Sequence, residues 1–129
     1  MKLGYTIIYV ENVLETVMFY ENAFCLKVRF VHDSKLYAEL DTGSVTLAFA
    51  GELMAKMNEL AIRPNRSADA AAGFEIAFVC DDPDDAYKKA VAAGARGVKS
   101  PALKPWGQTV GYVRDLNGCL VELCSPMPG

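Results

Sequence analysis

Tyr5-Thr-Ile-Ile-Tyr-Val10 and Glu75-Ile-Ala-Phe-Val-Cys80 are the two stretches that decide the fold, because they lie on one another when the chain is shifted by 70 residues. Both are rich in β-branched and aromatic residues and read as strands. Each is followed by a polar helix start, Asn12-Val13 in one copy and Asp82-Pro83 in the other, and then by an amphipathic stretch ending near Phe24 or Gly94. Further on the shift becomes 75: Tyr37…Asp41-Thr-Gly43-Ser-Val-Thr-Leu47 lies on Tyr112…Asp115-Leu-Asn-Gly118-Cys-Leu-Val-Glu122. Identity between the copies is low, but strand, helix and hairpin signals keep one order. A duplication of this length points to two supersecondary units of one plan.

The local signals fill in that plan. Asn12 caps a helix, with Glu15 three residues on, and Val13, Leu14, Val17, Met18 and Phe24 recur at helical spacing. Strands follow at Lys27–His32, Leu36–Asp41 and Ser44–Ala50, the last two joined through Asp41-Thr-Gly43. In the second copy Asp82 is the cap and Pro83 the first helical residue. Asp84 and Asp85 face the positive end of the helix dipole, and Gly94 supplies a left-handed stop. Strands are expected near 97–99, 108–114 and 119–124. Each module is therefore β-α-β-β-β, and the class is α+β. The expected organisation is one domain over 1–129, with module one at 1–50, a linker at 51–72 and module two at 73–126. The linker carries a short helix from Glu52 to Leu60, with Leu53, Met57 and Leu60 on one face.

Composition narrows the function. The 129 residues are 52% hydrophobic, and the formal net charge is −3. The basic residues are scattered, with Lys88-Lys89 the only adjacent pair. That argues against a nucleic-acid partner, whose binders carry basic patches. No apolar run approaches the ~20 residues that span a bilayer, so no membrane partner is expected. No signal peptide is visible at the N-terminus. Cys25, Cys80, Cys119 and Cys124 form no CxxC pair and read as reduced thiols of a cytoplasmic protein.

With the repeat in hand, two segments carry a resemblance. Val13-Leu-Glu-Thr-Val-Met-Phe-Tyr20 resembles the first helix of the vicinal oxygen chelate superfamily, and Tyr112-Val-Arg-Asp-Leu-Asn-Gly-Cys-Leu-Val-Glu122 resembles its terminal "RDPDGNxxEL" signature, with Leu116 in place of proline. That superfamily includes glyoxalase I, bleomycin-resistance proteins, fosfomycin-resistance enzymes and extradiol dioxygenases. The resemblance covers nearly the whole chain. It implies two βαβββ modules whose curved mixed sheets enclose a cavity, and a homodimer. In metal-dependent members one ligand comes from the first and last strand of each module, which here implies Tyr5, Leu47, Glu75 and Glu122. Leu47 has no donor atom, and a phenol titrating near ~10 is a poor ligand at neutral pH. No tight transition-metal site is therefore expected. If a divalent cation binds weakly, Glu75 and Glu122 would hold it. An extradiol dioxygenase, whose iron site uses two histidines and one carboxylate, is less expected still, since His32 is the lone histidine.

Strand alternation then gives a site. Glu75 and Glu122 are expected to face a cavity with Leu120, Cys124, Ala77 and Val79. Tyr5, Ile7 and Tyr9 are expected there too, with Val45, Leu47 and Phe49, while Trp106 is expected to form a wall. In this reading Tyr5, Glu75 and Glu122 are the candidate catalytic groups. Tyr5, Ile7, Leu47, Phe49, Trp106 and Leu120 are the ligand-binding surface. Two close glutamates do not both ionise comfortably, so one is expected to titrate high and act in acid–base chemistry. Plainer readings stand beside these. Glu75 and Glu122 could be structural acids, Tyr5 and Tyr9 core aromatics, and Trp106 a loop aromatic packed on its own strand. His32 reads as a rim residue, and Arg114 and Asp115 as hairpin contacts. Two functions follow: a metal-independent binder of a small molecule, or a lyase or isomerase using Glu75 and Glu122 with a divalent metal or as a metal-free acid and base.

Overall fold

The computed structural model describes all residues 1–129. The strands and helices run β1 (Tyr5–Val10), α1 (Val13–Phe24), β2 (Lys27–Val31), β3 (Tyr37–Asp41), β4 (Thr46–Gly51), α2 (Glu52–Met57), β5 (Glu75–Val79), α3 (Pro83–Ala92), β6 (Arg96–Leu103), β7 (Thr109–Arg114) and β8 (Leu120–Cys124). These are two βαβββ modules, each with a four-stranded mixed sheet, in strand orders β1-β4-β3-β2 and β5-β8-β7-β6. The chain divides into two compact units, Met1–Asn65 and Arg66–Gly129. No helix is long and apolar enough to cross a membrane.

In the first unit the expected cap is present: the Glu15 N–H donates to Asn12 Oδ1 at 2.9 Å. The helix stops at Cys25, which takes a left-handed conformation at φ 55°. β1 runs parallel to β4, and β4 is antiparallel to β3. One face of the sheet packs on α1. There Ile8, Val10, Leu40, Leu47 and Phe49 are buried with Val13, Val17, Tyr20 and Ala23. The Tyr20 and Phe49 rings lie 4.7 Å apart. α2 packs against β4 and β1 and ends at Asn58, short of the expected Leu60, because Glu59 turns to a positive φ of 57°.

The second unit repeats the arrangement. The Asp85 N–H donates to Asp82 Oδ1 at 3.1 Å, with Pro83 in the first turn, and Gly94 turns left-handed at φ 110°. β5 runs parallel to β8, β8 antiparallel to β7. Val113, Val121 and Leu123 are buried on the face that meets α3, with Ala90. β6 runs Arg96–Leu103, beyond the expected 97–99, because two register shifts carry it past Pro101 along β7.

Register corrects one of the two offsets. Ile7 pairs with Ala48, and Ala77 pairs with Glu122. The first strands of the units are offset by 70 residues, as expected, but the last strands by 74 rather than 75. The loop Asp115–Cys119 is one residue longer than Thr42–Val45. A one-residue slip sends every side chain of a strand to the other face. Leu47 and Phe49 therefore point into the α1 core, 4% and 0% exposed, and line no ligand surface. The residues beside Tyr5, Ile7 and Tyr9 on the outer face of β4 are Thr46, Ala48 and Ala50.

Candidate functional site

Each sheet has one face on its helix and one turned away from it. On the outer face of the second unit, β5 presents Glu75, Ala77 and Val79, β8 presents Leu120, Glu122 and Cys124, and β7 presents Val110, Tyr112 and Arg114. Edge strand β5 is open, with Val79 64% exposed. Glu122 sits on an inner strand, opposite Ala77 on one side and Tyr112 on the other. Glu75 and Glu122 are brought together, as expected: Glu75 lies beside Leu120, two residues from Glu122 on the same face of β8, and the two carboxyls interact.

Partial burial, the interaction with the Glu122 side chain and that neighbour's charge all push the Glu75 carboxyl above the ordinary carboxylate value. Tyr112 lies directly opposite Glu122, and burial together with the charges of Glu122 and Glu75 pushes the phenol up. Cys124, whose Sγ donates to the Phe78 carbonyl at 3.7 Å, is pushed up to about 11, first by burial and then by the neighbouring Glu122, so its thiol is neutral at pH 7. The arrangement sets two carboxyls side by side, the one at Glu75 holding its proton more tightly than usual, on a face shared with Ala77, Val79, Leu120, Tyr112 and Arg114.

Tyr112 was no candidate in the sequence reading, where it served only as the start of the terminal signature. Its alternation with Arg114 on a strand next to Glu122 was the available signal. Arg114 makes the local contacts expected of it. Its Nε donates to the Gly118 carbonyl at 2.7 Å, and its Nη2 to the carbonyls of Arg66 at 3.4 Å and Asp69 at 2.5 Å. Asp115 Oδ1 accepts from the Asn117 and Cys119 N–H groups, both at 2.8 Å. Trp106 is 55% exposed in the turn between β6 and β7. Its Nε1 donates to Gln108 Oε1 at 2.7 Å, and Gln108 is itself tied to the Ser125 carbonyl at 2.9 Å. The indole is thus held by its own turn.

The outer face of the first unit carries Tyr5, Ile7 and Tyr9 on β1, with Tyr5 57% exposed rather than in a core. Across Ala48 on β3 stands Glu39, a nearly buried carboxylate absent from the sequence reading. Its Oε2 accepts from the Tyr37 hydroxyl at 2.8 Å, and its Oε1 lies 3.5 Å from Arg29 Nη1, which also donates to Thr46 Oγ1 at 3.0 Å. Burial and the Glu39 carboxylate push Tyr37 up to about 12. His32 bonds with Ser34 in its own turn and is exposed.

These donors do not fit a metal centre. No three His, Cys, Asp or Glu side chains are grouped to hold an ion. Glu75 and Glu122 are two carboxyls with no nitrogen ligand beside them, and the Glu75 carboxyl holds its proton more tightly than usual. The position equivalent to Glu122 in the first unit is Ala48, which has no donor.

Several solved structures share this fold. A glyoxalase-related enzyme from Fulvimarina pelagi superposes with a TM-score of 0.83 at 16% identity, covering 98% of this chain and 88% of its own. A glyoxalase/bleomycin resistance protein/dioxygenase family enzyme from Burkholderia phytofirmans PsJN gives 0.82 at 21% identity, covering 97% and 98%. TioX from Micromonospora sp. ML1 gives 0.71 at 21%, covering 97% and 98%. At these identities the likeness is one of fold. No protein of curated function matches the sequence. The sequence profile of one family matches residues 2–123, and by that match the chain belongs to the Glyoxalase/Bleomycin resistance protein/Dioxygenase superfamily.

Proposed function

We propose that the chain is a small-molecule-binding protein of the glyoxalase/bleomycin-resistance type, with its ligand seated on the outer face of the second unit. The observation that carries this reading is the adjacent Glu75–Glu122 pair on an outer face where Ala77, Val79 and Leu120 are its apolar neighbours. Ionisable groups on apolar surface usually have a partner or a task, and a few polar groups on an apolar wall fix a ligand's orientation. Leu120 supplies apolar contact beside the pair, with Trp106 a further wall. Tyr5 and Ile7 are proposed contacts of the first unit's own outer face. A homodimer fits the exposed apolar residues Tyr5, Ile7 and Val79. Four free cysteines fit a reducing, cytoplasmic setting.

The same pair favours a second reading, a metal-free lyase or isomerase. Glu75, whose carboxyl is pushed above the ordinary value, stands beside Glu122, so the pair can supply a proton donor and a base within one site.

Native mass spectrometry of protein purified without chelator tests the first reading, combined with a fragment screen read by amide chemical shifts. The expected result is a co-purified or added small molecule that shifts Ala77, Leu120 and Tyr112, and whose binding is weakened at least tenfold by Glu122→Gln. Ligands that shift only residues elsewhere, or that bind Glu122→Gln as well as wild type, sink the proposal. Turnover of a bound compound in metal-free buffer decides for the lyase or isomerase.

A further inference from the structure

We infer that Arg96 and Arg114 form a phosphate-binding site at the β6–β7 side of the second unit. The site is separate from the Glu75–Glu122 pair, and the inference does not rest on the reading of that pair.

Register puts the two arginines side by side. Arg96 is the direct partner of Arg114 across β6 and β7, so their side chains leave the same face of the sheet. Arg114 is in turn the partner of Leu120, which makes that face the outer one. Gly97, the next residue, faces the helix, since a Cβ there would run into the Tyr87 hydroxyl of α3.

Hydrogen bonds then bring both guanidinium groups to one turn. Arg96 Nη2 donates to the Ser67 carbonyl at 3.2 Å. Arg114 Nη2 donates to the carbonyls of Arg66 at 3.4 Å and Asp69 at 2.5 Å, and its Nε to that of Gly118 at 2.7 Å. The turn is closed by the Asp69 N–H, which donates to the Arg66 carbonyl at 3.2 Å. Gly118 leaves the space that Arg114 fills: a Cβ there would lie 2.5 Å from Nη2.

Carbonyls satisfy N–H groups but do not cancel charge, and neither arginine has an ion-pair partner. Other cations of the chain do. Arg29 lies 3.5 Å from Glu39 and 3.6 Å from Asp41, and Lys89 lies 3.1 Å from Asp85. Asp115, the next residue after Arg114, accepts instead from the Asn117 and Cys119 N–H groups. Asp69 meets Arg114 through its carbonyl. Like charges directly opposed across two strands are unfavourable, so an anion between them gains what their repulsion costs. Donors are free to meet it. A guanidinium has five N–H groups. Arg114 has Nη1 to spare, which is not buried, and the exposed Arg96 has Nε and Nη1. Two guanidinium forks match the oxygens of a phosphate, whose charge near −2 offsets theirs.

The test uses the full-length protein, with arginine Nε–H groups and backbone amides followed by NMR. The probes are phenyl phosphate, inorganic phosphate and neutral phenol. Both phosphates are expected to shift the Arg96 and Arg114 Nε–H signals and the amides of 66–69 in one saturable step, with a Kd of about 1 mM or tighter. Phenol should shift none of them. Arg96→Gln, at an exposed position, should weaken phosphate about tenfold or more with the rest of the amide spectrum retained. Arg114→Lys, which keeps the charge and loses the fork, should do the same. Tighter binding of phenyl phosphate identifies a phosphate ester as the occupant, and equal affinities identify free phosphate; either upholds the site. Three results overturn it: no shift at either arginine up to about 10 mM phosphate, equal shifts at Arg29 and Arg63, or undiminished binding by Arg96→Gln. Should Arg114→Lys fail to fold, the wild-type titration and Arg96→Gln decide alone.

Discussion

Ala48 holds in the first unit the register position that Glu122 holds in the second: each lies on the last strand of its sheet, directly opposite the third residue of the first strand, Ile7 or Ala77. Leu47, one residue before, lies on the opposite face in the α1 core. Two substitutions that add the same carboxylate should therefore differ sharply. Leu47→Glu forces an unpaired charge among apolar side chains and is expected to cost more than about 4 kcal/mol, enough to threaten folding. Ala48 is itself fully buried, and Ala48→Glu adds a like charge opposite Glu39, but on the outer face its carboxylate extends away from the α1 core, so it should cost less, about 2–3 kcal/mol. Urea denaturation of both variants checks the order. A Leu47→Glu protein as stable as Ala48→Glu would mean that the register is wrong.

Phe49 is a core residue, and its truncation should act on stability alone. Its ring is fully buried and packs on Tyr20 at 4.7 Å. Phe49→Ala is expected to destabilise by about 3–5 kcal/mol. Ile7→Ala, two strand positions from Tyr5 on the exposed outer face, should cost less than about 1 kcal/mol. Thermal unfolding of the two variants reads the difference directly. Equal losses would place Phe49 and Ile7 in like surroundings, contrary to the fold.

The cysteines should separate by environment. Cys25 is exposed at the end of α1. Cys119 and Cys124 are buried, and burial heads the causes that push them up to about 12 and about 11. Cys80 is also pushed up, by partial burial and by the charges of Asp81 and Asp82. The thiolate is the reactive species, so a disulfide reagent at pH 8 should label Cys25 quickly and the other three at least tenfold more slowly. Cys25→Ser should abolish the fast phase. A fast phase that survives in Cys25→Ser would show that a second thiol is open.

The repeat, both helix caps and the class of every strand were legible because they rest on local rules: apolar alternation, Asn12 and Asp82 as caps, Pro83 and Gly94 as punctuation. The Glu75–Glu122 meeting was legible as well, since parallel neighbours of one parity share a face. What failed was register across a turn. Nothing in Thr42–Val45 or Asp115–Cys119 tells which copy has the extra residue, yet that residue decides whether Leu47 or Ala48 faces outward. Glu39 and Tyr112 stayed hidden for a related reason. Both sit on the third strand of a unit, and only pairing with the fourth strand brings them beside Ala48 and Glu122.

The Glu75 proton sets a pH dependence with a definite sign. Its carboxyl titrates higher in the folded protein than in the unfolded chain, first through partial burial, then through the interaction with the Glu122 side chain and that group's charge. The folded state therefore holds the proton more tightly than the unfolded state. The stability this contributes is fully present below the unfolded value, about 4.3 for a glutamate, and is lost as pH rises through the folded value. Glu75→Gln keeps a neutral donor for Glu122 but cannot ionise, so it escapes that loss. The variant should unfold at a higher temperature than wild type at pH 7–8, and the advantage should shrink as pH falls and vanish near pH 4. The carboxylates away from the Glu75–Glu122 pair titrate in both proteins and cancel in the difference. Thermal unfolding of the pair across pH 4–8 makes the measurement. A Glu75→Gln protein less stable than wild type at pH 8, with the deficit closing toward pH 4, would mean that Glu75 is a stabilised anion, and the donor–acceptor reading of the site would fall with it.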